Sequence, residues 1–129
     1  MQFDSHVGKH RLVMSAQVLG QDLLVAVYGG DEHHIGGVAV AYPARSHYRD
    51  AMTISVSTLT LPGHKDYLLA SSLAERICKS IKRITAVTVG IHIDNASQSE
   101  IEEVIEASNR MADELVDRLR AGVADHRQG

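Results

Sequence analysis

The chain has no tryptophan, one phenylalanine, one cysteine and two prolines among its 129 residues. With so few large rings, the core has to be assembled from Val, Ile, Leu, Ala and Met. The single cysteine, Cys78, excludes an internal disulfide framework and fits a reducing compartment. Pro43 is expected to stop a strand, and Pro62 to stand ahead of a helix. There is no excess of basic residues: 13 Lys and Arg stand against 16 Asp and Glu, a formal charge of −3. No basic run is present, which argues against nucleic acid as the main partner. No apolar segment approaches the roughly 20 residues that cross a bilayer. Met1 to His6 lack the basic start and apolar run of a signal peptide. These absences predict a soluble cytoplasmic protein without a membrane partner.

What is present is an ordinary globular composition, 44% hydrophobic and 22% charged. The length suits one domain, residues 1–129, and no repeat or linker suggests a boundary. Eight histidines are the compositional oddity.

From His10 to Leu19 the residues alternate, with Leu12, Met14, Ala16 and Val18 on one face, which predicts a strand. Leu23 to Tyr28 is a short continuous apolar run, as in a central strand. A third strand is expected from about Ile35 to Tyr42, and a fourth from Ala51 to Thr58. Leu69, Leu73, Ile77 and Ile81 then recur at helical spacing behind a candidate cap at Asp66. The opposite side of that helix, Ala70, Ser71, Ala74 and Glu75, is small or polar, so the helix should lie close to a sheet. Ile84 to Asp94 reads as a fifth strand. Ser97 to Glu100 is a capping box, opening a helix whose apolar stripe runs from Ile101 to Leu119 and which Gly122 should end. Residues 1–8 and 123–129 read as loose ends. The order β-β-β-β-α-β-α predicts an α+β fold: an antiparallel sheet of about five strands joined as a meander, with two helices on one face. The other face is left to solvent, a ligand or a second subunit.

Three stretches carry more chemistry than their elements require. Tyr28 to Gly37 contains Gly29, Gly30, Asp31, Glu32, His33, His34, Ile35 and Gly36, far more than a turn between strands needs. Its glycines would let backbone N–H groups converge on an anion or a flat ligand. The plain alternative is a long polar hairpin. Gly63-His64-Lys65-Asp66 lies at a helix start, where free N–H donors and two cationic side chains suit a phosphate. The alternative there is an ordinary helix entry. Strand alternation places Gly90, His92 and Asp94 on one face, able to share a ligand or to pair in solvent. A metal site would draw on His34, His64, His92 and Asp94, with Asp31 and His33 as further candidates, although no tight ligand spacing is present. Cys78 reads as a small buried hydrophobe, and no serine sits in a nucleophile elbow. No catalytic residue is assigned.

These same three segments, in the same order, resemble the recurring segments of the LpdD-like prenylated-flavin chaperones. The resemblance runs from roughly Lys9 to Leu119. It implies a small non-catalytic partner of a UbiD-type decarboxylase, one that binds reduced prenylated FMN and helps load or mature that cofactor. It implies a fold similar to small proteasome-assembly chaperones, an α+β protomer that pairs into a homodimer. Gly29, Gly30, Asp31, His34, Ile35 and Gly36 would then line the flavin site, with His64 and Lys65 at the phosphate and His92 and Asp94 completing the pocket. Two other readings stay open: a small metal- or histidine-dependent enzyme using His34, His64, His92 and Asp94, and an assembly protein with no ligand.

Overall fold

The alternation in residues 10–19 sets the first well-defined strand, and the others assemble around it. The computed structural model describes residues 1–45, 51–61 and 66–128, with side chains described as far as residue 122. The elements are β1 (Gln2–Val7), β2 (His10–Leu19), β3 (Asp22–Gly30), β4 (Glu32–Arg45), β5 (Met52–Thr60), α1 (Asp66–Ile81), β6 (Thr85–His92) and α2 (Gln98–Gln128). Among the described residues the strands form one sheet of six, in the order β1-β2-β3-β6-β4-β5.

The α+β class and the two-helix layer are as expected, but three details of the sheet differ, and so does the end of α2. The sheet has six strands, not five, because residues 2–7 are not a loose lead-in. They pair with β2 from Gln2↔Ser15 to Val7↔His10 across a turn at Gly8. Phe3 and Val7 are buried, and the Arg118 guanidinium of α2 lies 4.8 Å from the Phe3 ring centre. With only two apolar residues in this segment, the alternation was too sparse to read. Second, the sheet is mixed, since β6 runs parallel to β3 and antiparallel to β4. Third, the strands are not a simple meander, because β6 is inserted between β3 and β4. At the other end, α2 continues past Gly122 to Gln128. A single glycine costs a helix only about 1 kcal/mol, which does not suffice to stop it.

Both helices cover one face. There Leu12 and Met14 of β2, Val25 and Val27 of β3, and Val87 and Val89 of β6 form the floor of one continuous core. Helix α1 meets it with Ala70, Leu73, Ala74, Ile77 and Cys78, leaving Leu69 and Ile81 only partly buried. The helix is thus turned toward its alanines, whose small side chains bring its axis close to the sheet. Burial pushes the Cys78 thiol up in pKa, as expected for a small core hydrophobe. Helix α2 starts at the expected capping box: Ser97 Oγ accepts from the Glu100 N–H and Glu100 Oε1 from the Ser97 N–H, both at 3.1 Å. It packs Ala107, Met111, Ala112 and Leu115 into the same core. Arg76 of α1 grips the Asp113 carboxylate of α2 with two bonds of 2.9 Å.

The opposite face of the sheet is covered by no described element. Its centre, Leu24 and Ala26 of β3, Ala86 and Thr88 of β6, and Val38 and Val40 of β4, carries no charge. The Arg11–Asp4 pair, 2.7 Å, marks the margin toward β1.

Candidate functional site

The position of β6 changes what the glycine-rich stretch is. Because β3 and β4 flank β6, the segment joining them is not a hairpin between neighbours. It crosses over the end of β6, where the Asp31 N–H donates to the His92 carbonyl at 2.6 Å. Gly29 and Gly30 make this crossing with φ of 154° and 80°. A Cβ on Gly30 would run into the His92 carbonyl, and one on Gly29 into the Arg11 carbonyl. These two glycines are filled by the chain's own backbone.

Asp31 ties the crossing down. One carboxylate oxygen accepts the Asp94 N–H at 2.8 Å, and the other accepts from His10 Nε2 at 3.0 Å. The Asp94 amide first, then the His10 ring, holds the Asp31 carboxyl below its ordinary value of 3.8. A lowered folded-state pKa means that the ionised form stabilises the fold. That contribution is complete above the ordinary carboxylate value and is lost as pH falls through the lower folded value. Asp31→Asn is therefore expected to flatten the fall in stability on acidification below about pH 4. Urea unfolding of both proteins at pH 7 and at pH 3 checks this. Equal pH dependence in the two would show that the clasp carries no proton linkage.

After Asp31, β4 pairs Glu32↔His92 and His33↔Ile91, then resumes at Gly37↔Val89. His34, Ile35 and Gly36 therefore stand opposite the single residue Gly90, a bulge. The His34 carbonyl packs onto the Gly90 Cα, where any Cβ would collide with it. The bulge delivers His34 to the first turn of α1: its Nε2 lies 3.2 Å from Asp66 Oδ2, and its Nδ1 lies 3.4 Å from the Glu32 carbonyl. The other Asp66 oxygen accepts the Ile91 N–H at 3.4 Å. That turn of α1 rests directly on Gly36 and Gly37, since a Cβ on either would strike Asp66 or the Tyr67 backbone. His33 leans instead on the Tyr28 ring, centroids 5.2 Å apart, and Ile35 is exposed. His92 Nε2 is 2.8 Å from Asp94 Oδ1 at the surface.

Beside this junction lies a cleft of about 490 Å³ between the start of α1, the end of β6 and the first two turns of α2. Its polar lining is His34, Asp66, Ser72 and His92. The remainder is aliphatic: Leu68, Leu69, Ile91, Ile93, Ala96, Ile101, Val104 and Ile105. Of the residues singled out in the sequence, His34 and His92 both line the cleft. Asp31 and Asp94 sit in the clasp next to it, while Gly29, Gly30, Ile35 and Gly36 belong to the crossing and the bulge. His64 and Lys65 lie outside the described residues, immediately ahead of α1. Among the described residues no three His, Cys, Asp or Glu side chains are grouped to hold a metal ion.

Sequence reasoning missed Asp66 as a member of the site, His10 as its support, and the whole aliphatic wall. The wall residues sit within the amphipathic stripes, or next to them, and periodicity does not tell a core stripe from a cleft wall. Leu68, Ile101 and Ile105 remain 61%, 44% and 44% exposed.

Fold and cleft define a small α+β protein with a mixed six-stranded sheet, a two-helix layer and a largely aliphatic cleft beside them. No described helix is long and apolar enough to cross a membrane. The prenylated flavin chaperone LpdD-like domain matches residues 6–120, and the chain belongs to that family. It is similar to Protein LpdD of Lactiplantibacillus plantarum, 25% identical over 124 residues, which span 92% of this chain and 85% of the relative. It is also similar in fold to a chain of a chaperone complex for yeast 20S proteasome assembly, at 14% identity and a TM-score of 0.49, covering 86% of this chain and 96% of that one.

Proposed function

We propose that this chain is a non-catalytic chaperone that holds prenylated FMN, in its reduced form, and helps load or mature it in a UbiD-type decarboxylase of the cytoplasm. Membership of the prenylated flavin chaperone family supports the class of ligand. The observation that carries the reading is the cleft, whose volume lies within the roughly 300–1,000 Å³ of small-molecule sites. Largely aliphatic walls with a few convergent polar groups suit a flat, weakly polar ring system carrying added hydrocarbon. His34, held by Asp66, and His92, held by Asp94, form the polar edge, and Gly29, Gly30, Asp31, Ile35 and Gly36 frame it. His64 and Lys65, ahead of the α1 N-terminus, would meet the phosphate, where helix N–H groups and basic side chains favour an anion.

The uncovered sheet face supports a homodimer. An uncharged apolar centre with a charged margin is self-complementary under a two-fold axis and would stack sheet on sheet. The cleft lies on the helix-covered side, so each protomer would keep its own site.

Anaerobic titration of the protein with reduced prenylated FMN, followed by flavin absorbance, tests the reading. One ligand per protomer is expected at saturation, and an absence of saturable binding would sink it. His92→Ala should weaken binding roughly threefold to tenfold through loss of one hydrogen bond. The His92 side chain is half exposed, so thermal stability should be unaffected.

A further inference from the structure

The polar lining of the cleft is largely consumed inside the protein. Both oxygens of Asp66 are engaged, one by His34 and the other by the Ile91 amide. His92 Nδ1 and the Ser72 hydroxyl are left to address a ligand. The lining includes no Phe, Tyr or Trp ring on which an isoalloxazine could stack. What the cleft does offer is aliphatic surface left in water. Leu68 comes from the first turn of α1, and Ile101 and Ile105 come from successive turns of α2. Leaving three large aliphatic side chains exposed around one cavity is unfavourable until something apolar covers them.

We propose that Leu68, Ile101 and Ile105 form a subsite for the isoprenoid-derived hydrocarbon of the ligand, so that the cleft selects prenylated flavin over unmodified FMN. This rests on the flavin-holding function proposed above. Selectivity is a difference of two affinities. The phosphate, the ribityl chain and most of the ring edge are common to both flavins, so contacts with them cancel in the ratio. Only the added hydrocarbon distinguishes the ligands, and among the described residues of the cleft the surface matched to it is this wall. Each buried methylene is worth about fourfold in affinity, so a largely buried prenyl unit is worth on the order of 100-fold. Such a subsite would keep abundant FMN from occupying a carrier meant for the prenylated form.

The test compares FMN and prenylated FMN, both reduced and under anaerobic conditions, on the wild-type protein and on an Ile101→Ser/Ile105→Ser variant. The wild type should prefer the prenylated form by on the order of 100-fold. The variant should lose about tenfold of that preference while its FMN affinity stays within about twofold. Both positions are substantially exposed, and an unchanged thermal midpoint confirms that the variant is folded. Leu68→Ser, from the other wall, should act in the same direction. Equal wild-type affinity for the two flavins, or an equal loss for both in the variant, would overturn the subsite while leaving flavin holding intact. An unchanged preference accompanied by loss of decarboxylase association would assign the wall to protein docking and overturn it too. Binding of neither flavin by the wild type would overturn the flavin function itself.

Discussion

Gly90→Ala is expected to destabilise the protein by about 3 kcal/mol or more, the upper range for forcing an extra group into a packed site. At this chain length that lowers the thermal midpoint by about 10 °C or more. The new Cβ would be driven into the His34 carbonyl and against the Ile35 amide. Neither is the loose end of a side chain. His34 is held from three sides, by the ladder pairs Glu32↔His92 and His33↔Ile91, by the Gly37↔Val89 pair, and by its own ring against Asp66. Relief requires lifting the bulge off β6, which pulls His34 away from Asp66 and opens the polar edge of the cleft. The loss of stability and a loss of flavin binding should therefore appear together. Gly122→Ala is the control, because nothing lies within 4 Å of the added Cβ. In a helix interior it should stabilise by up to about 1 kcal/mol. Thermal unfolding of the two variants beside the wild type makes the comparison. A Gly90→Ala midpoint within about 2 °C of wild type would show that the bulge is free to move.

Val40→Lys should convert the proposed dimer into a monomer without removing the proposed flavin binding. Val40 lies at the centre of the uncovered sheet face, between Ala86 of β6 and Ser57 of β5. In a two-fold interface the substitution enters twice, and each ammonium would be buried without a partner. An uncompensated buried charge costs several kcal/mol, enough to abolish association of moderate strength. In the monomer the same lysine reaches water from a solvated face, where the cost is about 1 kcal/mol or less. Light scattering coupled to size exclusion should give twice the protomer mass for the wild type and once for the variant. Flavin binding should survive, because the cleft is on the other side of the sheet. A monomeric wild type, or a variant that stays dimeric, would remove the sheet face from the assembly.

The element types were legible because they are written in local periodicity. The β2 alternation, the capping box before α2 and the spacing of α1 each involve residues within one or two turns of each other, and all three reappear in the structure. The face that α1 buries was harder. Leu69 and Ile81 look as apolar as Leu73 and Ile77, but the sheet accepts Ala70 and Ala74 in their place, because close approach of the backbone outweighs side-chain size there. Strand β1 has little local signature because its hold on the sheet is backbone pairing to β2 with only Phe3 and Val7 buried.

By itself the sequence determined the α+β composition, the two-helix layer and the family, and it singled out the stretches Gly29–Gly37 and Gly90–Asp94 as carrying more than their elements require. Only the tertiary structure decided how those segments are used. Whether β6 lies at an edge or between β3 and β4 leaves its own alternation unchanged, since strand order depends on pairings between residues far apart in the chain. With β6 inserted, the stretch from Gly29 to Gly37 ceases to be a hairpin and becomes a crossing and a bulge, with its glycines spent on close backbone approach. The same insertion brings His34 to Asp66 and His92 to the mouth of a cleft whose walls are drawn from α1, β6 and α2. A cavity is the space that packed elements fail to fill between them, and no local pattern can encode it.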